Sequence, residues 1–247
     1  MATPDNAFCW HGIATTDADR AATFYPEVLG WSAPLVPMGD EPVRMFGPGD
    51  ATLAHLEATE PGDRPHWNHY LRVDDVDART EAAVAAGGTL VVPPTDIAPG
   101  RFSVVTSPSG AALYLFREPG GTTPATPLTG PGSVHWVELW SSSLDADLAW
   151  LETAFGLQAN RMEMPNGPYF VLEHEGTSRG GAMASDEGPA HWLAWVEVDD
   201  VDAAVARTTS QGGTTLQAPF DVPTVGRMAV VADPAGARFG IIVPATS

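Results

Sequence analysis

Lysine is absent from the 247 residues, so arginine alone supplies the 12 basic side chains that oppose 31 acidic ones, for a formal charge of −19. So acidic a chain repels a phosphate backbone or an anionic membrane, and neither nucleic acid nor membrane is expected as a partner. Cysteine occurs once, at Cys9, which excludes an intrachain disulfide and any zinc site built on several thiolates. Beside Trp10 it reads as a small buried hydrophobe rather than a reactive thiol. Long apolar runs are lacking too. No stretch approaches the roughly 18 apolar residues of a bilayer span, and the opening MATPDNAF has neither a basic segment nor an apolar run. A cytoplasmic location is therefore expected. Also missing are a P-loop, a dinucleotide-binding glycine motif and a nucleophile elbow. With 44% hydrophobic and 17% charged residues, the composition that remains is globular.

Within it the chain repeats itself. A shift of 125 or 126 positions lays Trp10 on Trp136, Gly30 on Gly156, His66-Trp67 on His191-Trp192 and Val73 to Ala78 on Val198 to Ala203. Gly87-Gly88-Thr89 falls on Gly212-Gly213-Thr214, Arg101 on Arg227, and Pro108, Gly110 and Ala111 on Pro234, Gly236 and Ala237. Two copies are too few and too long for a solenoid. The expected organisation is one domain over residues 1–118, a glycine, proline and threonine linker over 119–132, and a second domain over 133–247.

Each copy divides again. Phe8 to Thr15 alternates as a strand; Asp17 then caps a helix with apolar positions at Ala21, Phe24, Tyr25, Val28 and Leu29, stopped by Gly30. Pro26 inside that helix is expected to kink it. After apolar runs at 43–46 and 51–56, the unit restarts with a strand from Trp67 to Val73 and a helix capped near Asp74 or Asp75 and ended by Gly87-Gly88. Strands at 89–92, 101–106 and 111–116 complete the first copy, and the second repeats the pattern. The predicted fold is α+β: four βαβββ modules, two per copy.

The run WHGIATTDADRAATFYPEVLGW, the two VDDVDA segments and the endings SPSGAALYLF and DPAGARFGII resemble the vicinal oxygen chelate superfamily of glyoxalases, bleomycin-resistance proteins and extradiol dioxygenases, in particular two-domain actinobacterial glyoxalase-like proteins. The resemblance implies paired modules whose curved sheets form two cups. It fixes no function, because such cups host metal catalysis and metal-free drug binding alike.

In metal-using members of that superfamily, ligands sit at the start of a module's first strand and near the end of its fourth. Carried onto this chain, the first-strand positions are Trp10, Asn68, Trp136 and Leu193, and fourth-strand positions are Tyr114 and Gly240, with Ala54 or His55 and the region of Gly181-Ala182 in the other modules. Only His55 among them is a good donor. Strand alternation turns His11 and His69 toward the helices. A register error of one residue would instead put His11, His69 and His135 into the cups. No metal and no other cofactor is expected.

Alternation from the same positions lines the cups with aromatics and a few charges: Trp10, Tyr70, Arg72 and Tyr114 in the first copy, Trp136, Trp140 and Trp195 in the second, all taken as ligand-binding candidates. Flat rings with scattered polar anchors suit an aromatic or polycyclic metabolite or antibiotic; equally, they could plug a cup as core. Glu138 and Glu197, among tryptophans, are the candidates for proton transfer. Three functions stay open: metal-free small-molecule binding, cofactor-independent isomerase, lyase or cyclase chemistry, and a divalent-metal glyoxalase or dioxygenase. The internal repeat supplies the pairing that single-domain relatives obtain by dimerising, so a monomer or weak homodimer is expected.

Overall fold

The structure, a computed structural model, describes residues 6–38, 41–59, 62, 64–119, 128–164 and 167–245. Module one runs through β1 (Phe8–Thr15), α1 (Ala18–Leu29), β2 (Trp31–Ser32), β3 (Leu35–Met38), β4 (Glu41–Pro48) and β5 (Ala54–Ala58). Module two comprises β6 (His66–Arg72), α2 (Val76–Ala85), β7 (Thr89–Ile97), β8 (Gly100–Thr106) and β9 (Ala112–Arg117). Module three follows with β10 (Val134–Ser141), α3 (Leu144–Phe155), β11 (Gln158–Met164), β12 (Gly167–His174) and β13 (Thr177–Ala184). The fourth consists of β14 (His191–Glu197), α4 (Val201–Ser210), β15 (Thr214–Val222), β16 (Gly226–Ala232) and β17 (Arg238–Pro244). The α+β class and the fourfold βαβββ order are those expected, with one extra strand in module one, where β2 and β3 both pair with β4.

Local chemistry accounts for the element ends. The Asp17, Asp75 and Asp200 side chains each accept a backbone N–H of the first helical turn, at 3.0 Å in all three. Gly30 and Gly156 close α1 and α3 in the left-handed region at φ 69° and 67°, where a side chain would be strained. The expected kink at Pro26 does not end α1: the helix runs on to Leu29, and the Pro26 carbonyl accepts from Gly30 N–H at 2.9 Å. A proline there removes one hydrogen bond, and the buried face of Phe24, Tyr25, Val28 and Leu29 outweighs that loss.

Two compact units cut across the two sequence copies: one takes Met1–Trp10, Asn68–Thr126 and Val137–Trp192, the other His11–Trp67, Pro127–Trp136 and Leu193–Ser247. Modules two and three thus dominate the first unit, modules one and four the second. In the first unit the strands run β6-β9-β8-β7 and β11-β12-β13-β10. Trp150 of α3 donates its indole N–H to Ala83 O of α2 at 2.9 Å, and Arg79 of α2 donates to Ala154 O at 3.2 Å. The buried Asp147 of α3 accepts from Ser141 Oγ at 2.6 Å and from both the N–H and the hydroxyl of Ser109. In the second unit the orders are β2-β4-β5-β1, with β3 on β4, and β14-β17-β16-β15. Arg207 of α4 donates to Val28 O at the end of α1, 3.1 Å away. Tyr25 stands in a ring cluster with Phe24, Trp31, Phe46, Trp67 and Phe239; its hydroxyl donates to Asp233 and accepts from Trp67 Nε1. Residues 120–127 of the expected linker lie outside the described residues. Its end is built in: Gly132 N–H donates to Glu197 O, and Gly132 O accepts from Trp31 Nε1.

Candidate functional site

Contacts to the helices decide which way each strand faces. In module three, Ser141 bonds Asp147 of α3, so Leu139 and Ser141 face the helix and Glu138 and Trp140 face away. Module two is set by Thr80 of α2 against Ser103 of β8 at 2.6 Å; Ser103 is in register with Leu115, and Leu115 with Leu71. Tyr70, Arg72, Tyr114 and Phe116 therefore lie on the face opposite the helices. Phe239 against Phe24 of α1 does the same for module four, leaving Trp195, Glu197 and Gly240 on the far face. His11 packs on Trp67 on the helix side, and His69 lies edge-on to Phe8, matching the sequence reading for both. Burial pushes the His11 pKa down to about 3, so the ring is neutral.

Module three carries a carboxylate with a defined setting. Glu138 is only 5% exposed; its Oε1 accepts from Trp140 Nε1 at 2.6 Å and its Oε2 from the Tyr169 hydroxyl at 2.8 Å. Tyr169 comes from β12 in register with Met183 of β13, and Glu138 from β10 in register with Gly181 of β13. Gly181 lacks a side chain, which leaves room on that face for the two partners. Trp140 is also tilted against the His191 ring at 5.6 Å. Glu197 differs: it is half-buried, 3.7 Å from His135 Nδ1 at the start of β10. Trp136 is half-buried and Trp195 almost fully buried.

In module two, the Tyr70 ring is tilted against Tyr114 at 4.8 Å and meets Phe116 edge-on. Arg72 is buried, its backbone exchanging hydrogen bonds with Asn6 and Ala7. Trp10 is half-buried on β1. Cys9 donates its thiol to Tyr70 O, and burial pushes its pKa up to about 12, so the thiol is inert as expected.

The donor set does not fit a divalent metal. His55, the one good ligand at the carried-over positions, sits opposite Gly12 with Nδ1 3.1 Å from His11 O and Nε2 2.7 Å from Glu57 Oε1. Each ring nitrogen thus already has an oxygen partner within hydrogen-bond distance, which leaves neither directed at an open metal position. Among the described residues no group of three or more His, Cys, Asp or Glu side chains could hold a metal ion.

A groove of about 580 Å³ lies elsewhere, between the start of α2 and the β7–β8 hairpin. Arg101 there bridges Asp77 and Asp96, and Arg227 repeats the clamp with Asp202 and Asp221 in module four. A feature built into both copies at matching positions, with its cations already engaged, is structural.

Tyr169 was missed from sequence. It falls in β12, whose run GPYFVLEH is apolar without strict alternation, and a bulge at Leu172/Glu173 shifts the register of β12 on β13.

Comparisons agree with the geometry. Residues 10–116 match the model of a glyoxalase-like domain, and residues 133–241 that of the glyoxalase/bleomycin resistance protein/dioxygenase superfamily. CFP32 of Mycobacterium bovis, whose assigned name is that of a glyoxylase, is 37% identical over 96% of this chain and 94% of its own. The anthracycline biosynthesis protein DnrV of Streptomyces peucetius is 30% identical over 94% of this chain and 91% of its own. In fold, the chain is similar to the Mn(II)-bound glyoxalase of Novosphingobium aromaticivorans, with a TM-score of 0.65 at 17% identity, covering 96% of this chain and 82% of that one. It is likewise similar to the 2,3-dioxygenase LapB of Pseudomonas sp. KL28, with a TM-score of 0.67 at 15% identity, covering 100% and 94%. No helix among the described residues is long and apolar enough to cross a membrane. With two matched domains and a relative this similar over its whole length, the chain belongs to the glyoxalase/bleomycin resistance protein/dioxygenase superfamily, the vicinal oxygen chelate group.

Proposed function

We propose that the chain binds a planar small molecule without a metal, on the module-three face around Glu138. The observation that carries this reading is the buried Glu138 carboxylate held by Trp140 and Tyr169. An indole N–H and a phenol O–H fix the carboxylate among rings, giving that face an acceptor of defined position. Such an acceptor favours a ligand that brings an amine or hydroxyl over one that brings an anion. The engaged nitrogens of His55 support a metal-free site. Relatives named for anthracycline biosynthesis support a small molecule of secondary metabolism as the ligand class.

Calorimetric titration of EDTA-dialysed protein with proflavine, a planar tricyclic diamine, in about 0.15 M salt tests the reading. The expected result is 1:1 micromolar binding, weakened at least tenfold by Glu138→Gln, with 9-anthracenecarboxylate binding far more weakly. Equal affinity of wild type and Glu138→Gln for proflavine would overturn it.

A further inference from the structure

Four of the eight tryptophan indoles have a defined acceptor. Trp31, Trp67, Trp140 and Trp150 donate to Gly132 O, Tyr25 Oη, Glu138 and Ala83 O respectively. Trp195 differs: it is 3% exposed, and its Nε1 has no hydrogen-bond partner. A buried N–H left unmet costs on the order of 1–3 kcal/mol, which is why such groups are rare in proteins.

The ring is held in place by the sequence. Trp195 of β14 is in register with Gly240 of β17, and a Cβ at Gly240 would stand 2.2 Å from Trp195 Cε3 and 2.4 Å from Cδ2. The indole therefore lies flat on the bare backbone of β17, in a space only glycine leaves. Gly240 in turn pairs with Val230, and Ile242 with Met228 and Glu197, so the surroundings of Trp195 on this face are apolar, with Glu197, Gln217 and Arg238 further along it. Trp192, three residues earlier, also has an Nε1 without a partner. It points to the opposite, helix-side face, where the Phe8 ring lies 5.3 Å away.

We propose that the Trp195 indole N–H is the hydrogen-bond donor for an acceptor oxygen, a ketone or quinone carbonyl, of a planar ring ligand that enters the β14–β17 face. Met228, buried on the same face, has the flexible unbranched chain that can move aside to admit it. This site lies in the other compact unit and goes beyond the module-three reading, using a donor where Glu138 uses an acceptor.

The test compares 9-fluorenone with fluorene, the same tricyclic frame with and without a carbonyl, by titration into protein labelled with ¹⁵N-tryptophan. Fluorenone is expected to bind about tenfold more tightly, as one added hydrogen bond warrants. The Trp195 indole proton, assigned by its loss in Trp195→Phe, should shift downfield while the Trp192 signal stays put. In Trp195→Phe the two compounds should bind equally; should that variant fail to fold, the wild-type affinity ratio and the single shifting indole signal still decide the matter. Equal binding of both compounds to wild type, with no indole signal shifted, overturns the Trp195 proposal while leaving small-molecule binding intact. Failure of both to bind overturns the Trp195 proposal as well, and the Glu138 reading is then decided separately by the proflavine titration.

Discussion

Glu138 and Asp147 lie on opposite faces of the same module, and their partners set what each does. Asp147 is fully buried and satisfied by Ser109 and Ser141, which locks α3 to the loop at the end of module two. Asp147→Ala leaves those donors unmet, and a loss of roughly 2–3 kcal/mol is expected in urea unfolding. Glu138→Gln keeps the shape and both bonds in part, so stability should change by less than about 1 kcal/mol while proflavine affinity falls. Histidine 11 makes a pH prediction. Burial holds its folded pKa down at about 3, below the unfolded value of about 6.5. The unfolded chain therefore binds more protons between those values, and the contribution of the neutral ring to stability is full above pH 6.5 and lost as pH falls toward 3. The stability difference between wild type and His11→Phe should drift against wild type by up to about 1.4 kcal/mol per pH unit over that range. A difference independent of pH would show that His11 is not held neutral by burial. Residue-level roles were only partly legible in sequence. Alternation assigned Glu138, Trp140 and Trp195 to the face away from the helices, because strand period is a local property. Tyr169 and the orphaned Trp195 N–H depend on register and burial, which one sequence does not show.

Elements were read well where local chemistry is strong. The Asp17 cap and the Gly30 stop are visible as letters and form as expected, the cap left between Asp74 and Asp75 falls on Asp75, and Asp200 and Gly156 repeat the pattern in the second copy. Because Asp75 and Asp200 occupy matching places with the same 3.0 Å bond, Asp75→Ala and Asp200→Ala should each cost about 1 kcal/mol and add when combined. Strong departure from additivity in denaturant midpoints would mean the two helices are coupled. Strands β2 and β3 and the full lengths of β7 and β11 to β13 were harder to read, since their residues are largely exposed or half-buried and carry little period. Gly240 is an element-scale device rather than a flexible point: Gly240→Ala should destabilise by roughly 1–3 kcal/mol through displacement of the Trp195 ring.

At the scale of the molecule, the repeat was plain in sequence but the compact units were not. Each unit joins a module from each copy, through contacts such as Trp150 to Ala83 and Arg207 to Val28. Those contacts lie on helix faces whose partner cannot be read from periodicity. It follows that the halves 1–118 and 133–247, expressed separately, should lack native near-ultraviolet circular dichroism and recover it on mixing; a half that folds alone would count against this organisation. The central claim is a small-molecule site that needs no metal. Its most direct test is calorimetric titration of proflavine into protein dialysed against EDTA, repeated after adding one equivalent of Mn(II). The account predicts the same micromolar affinity in both and no heat of stoichiometric metal binding; proflavine binding that appears only after Mn(II) is restored would contradict it.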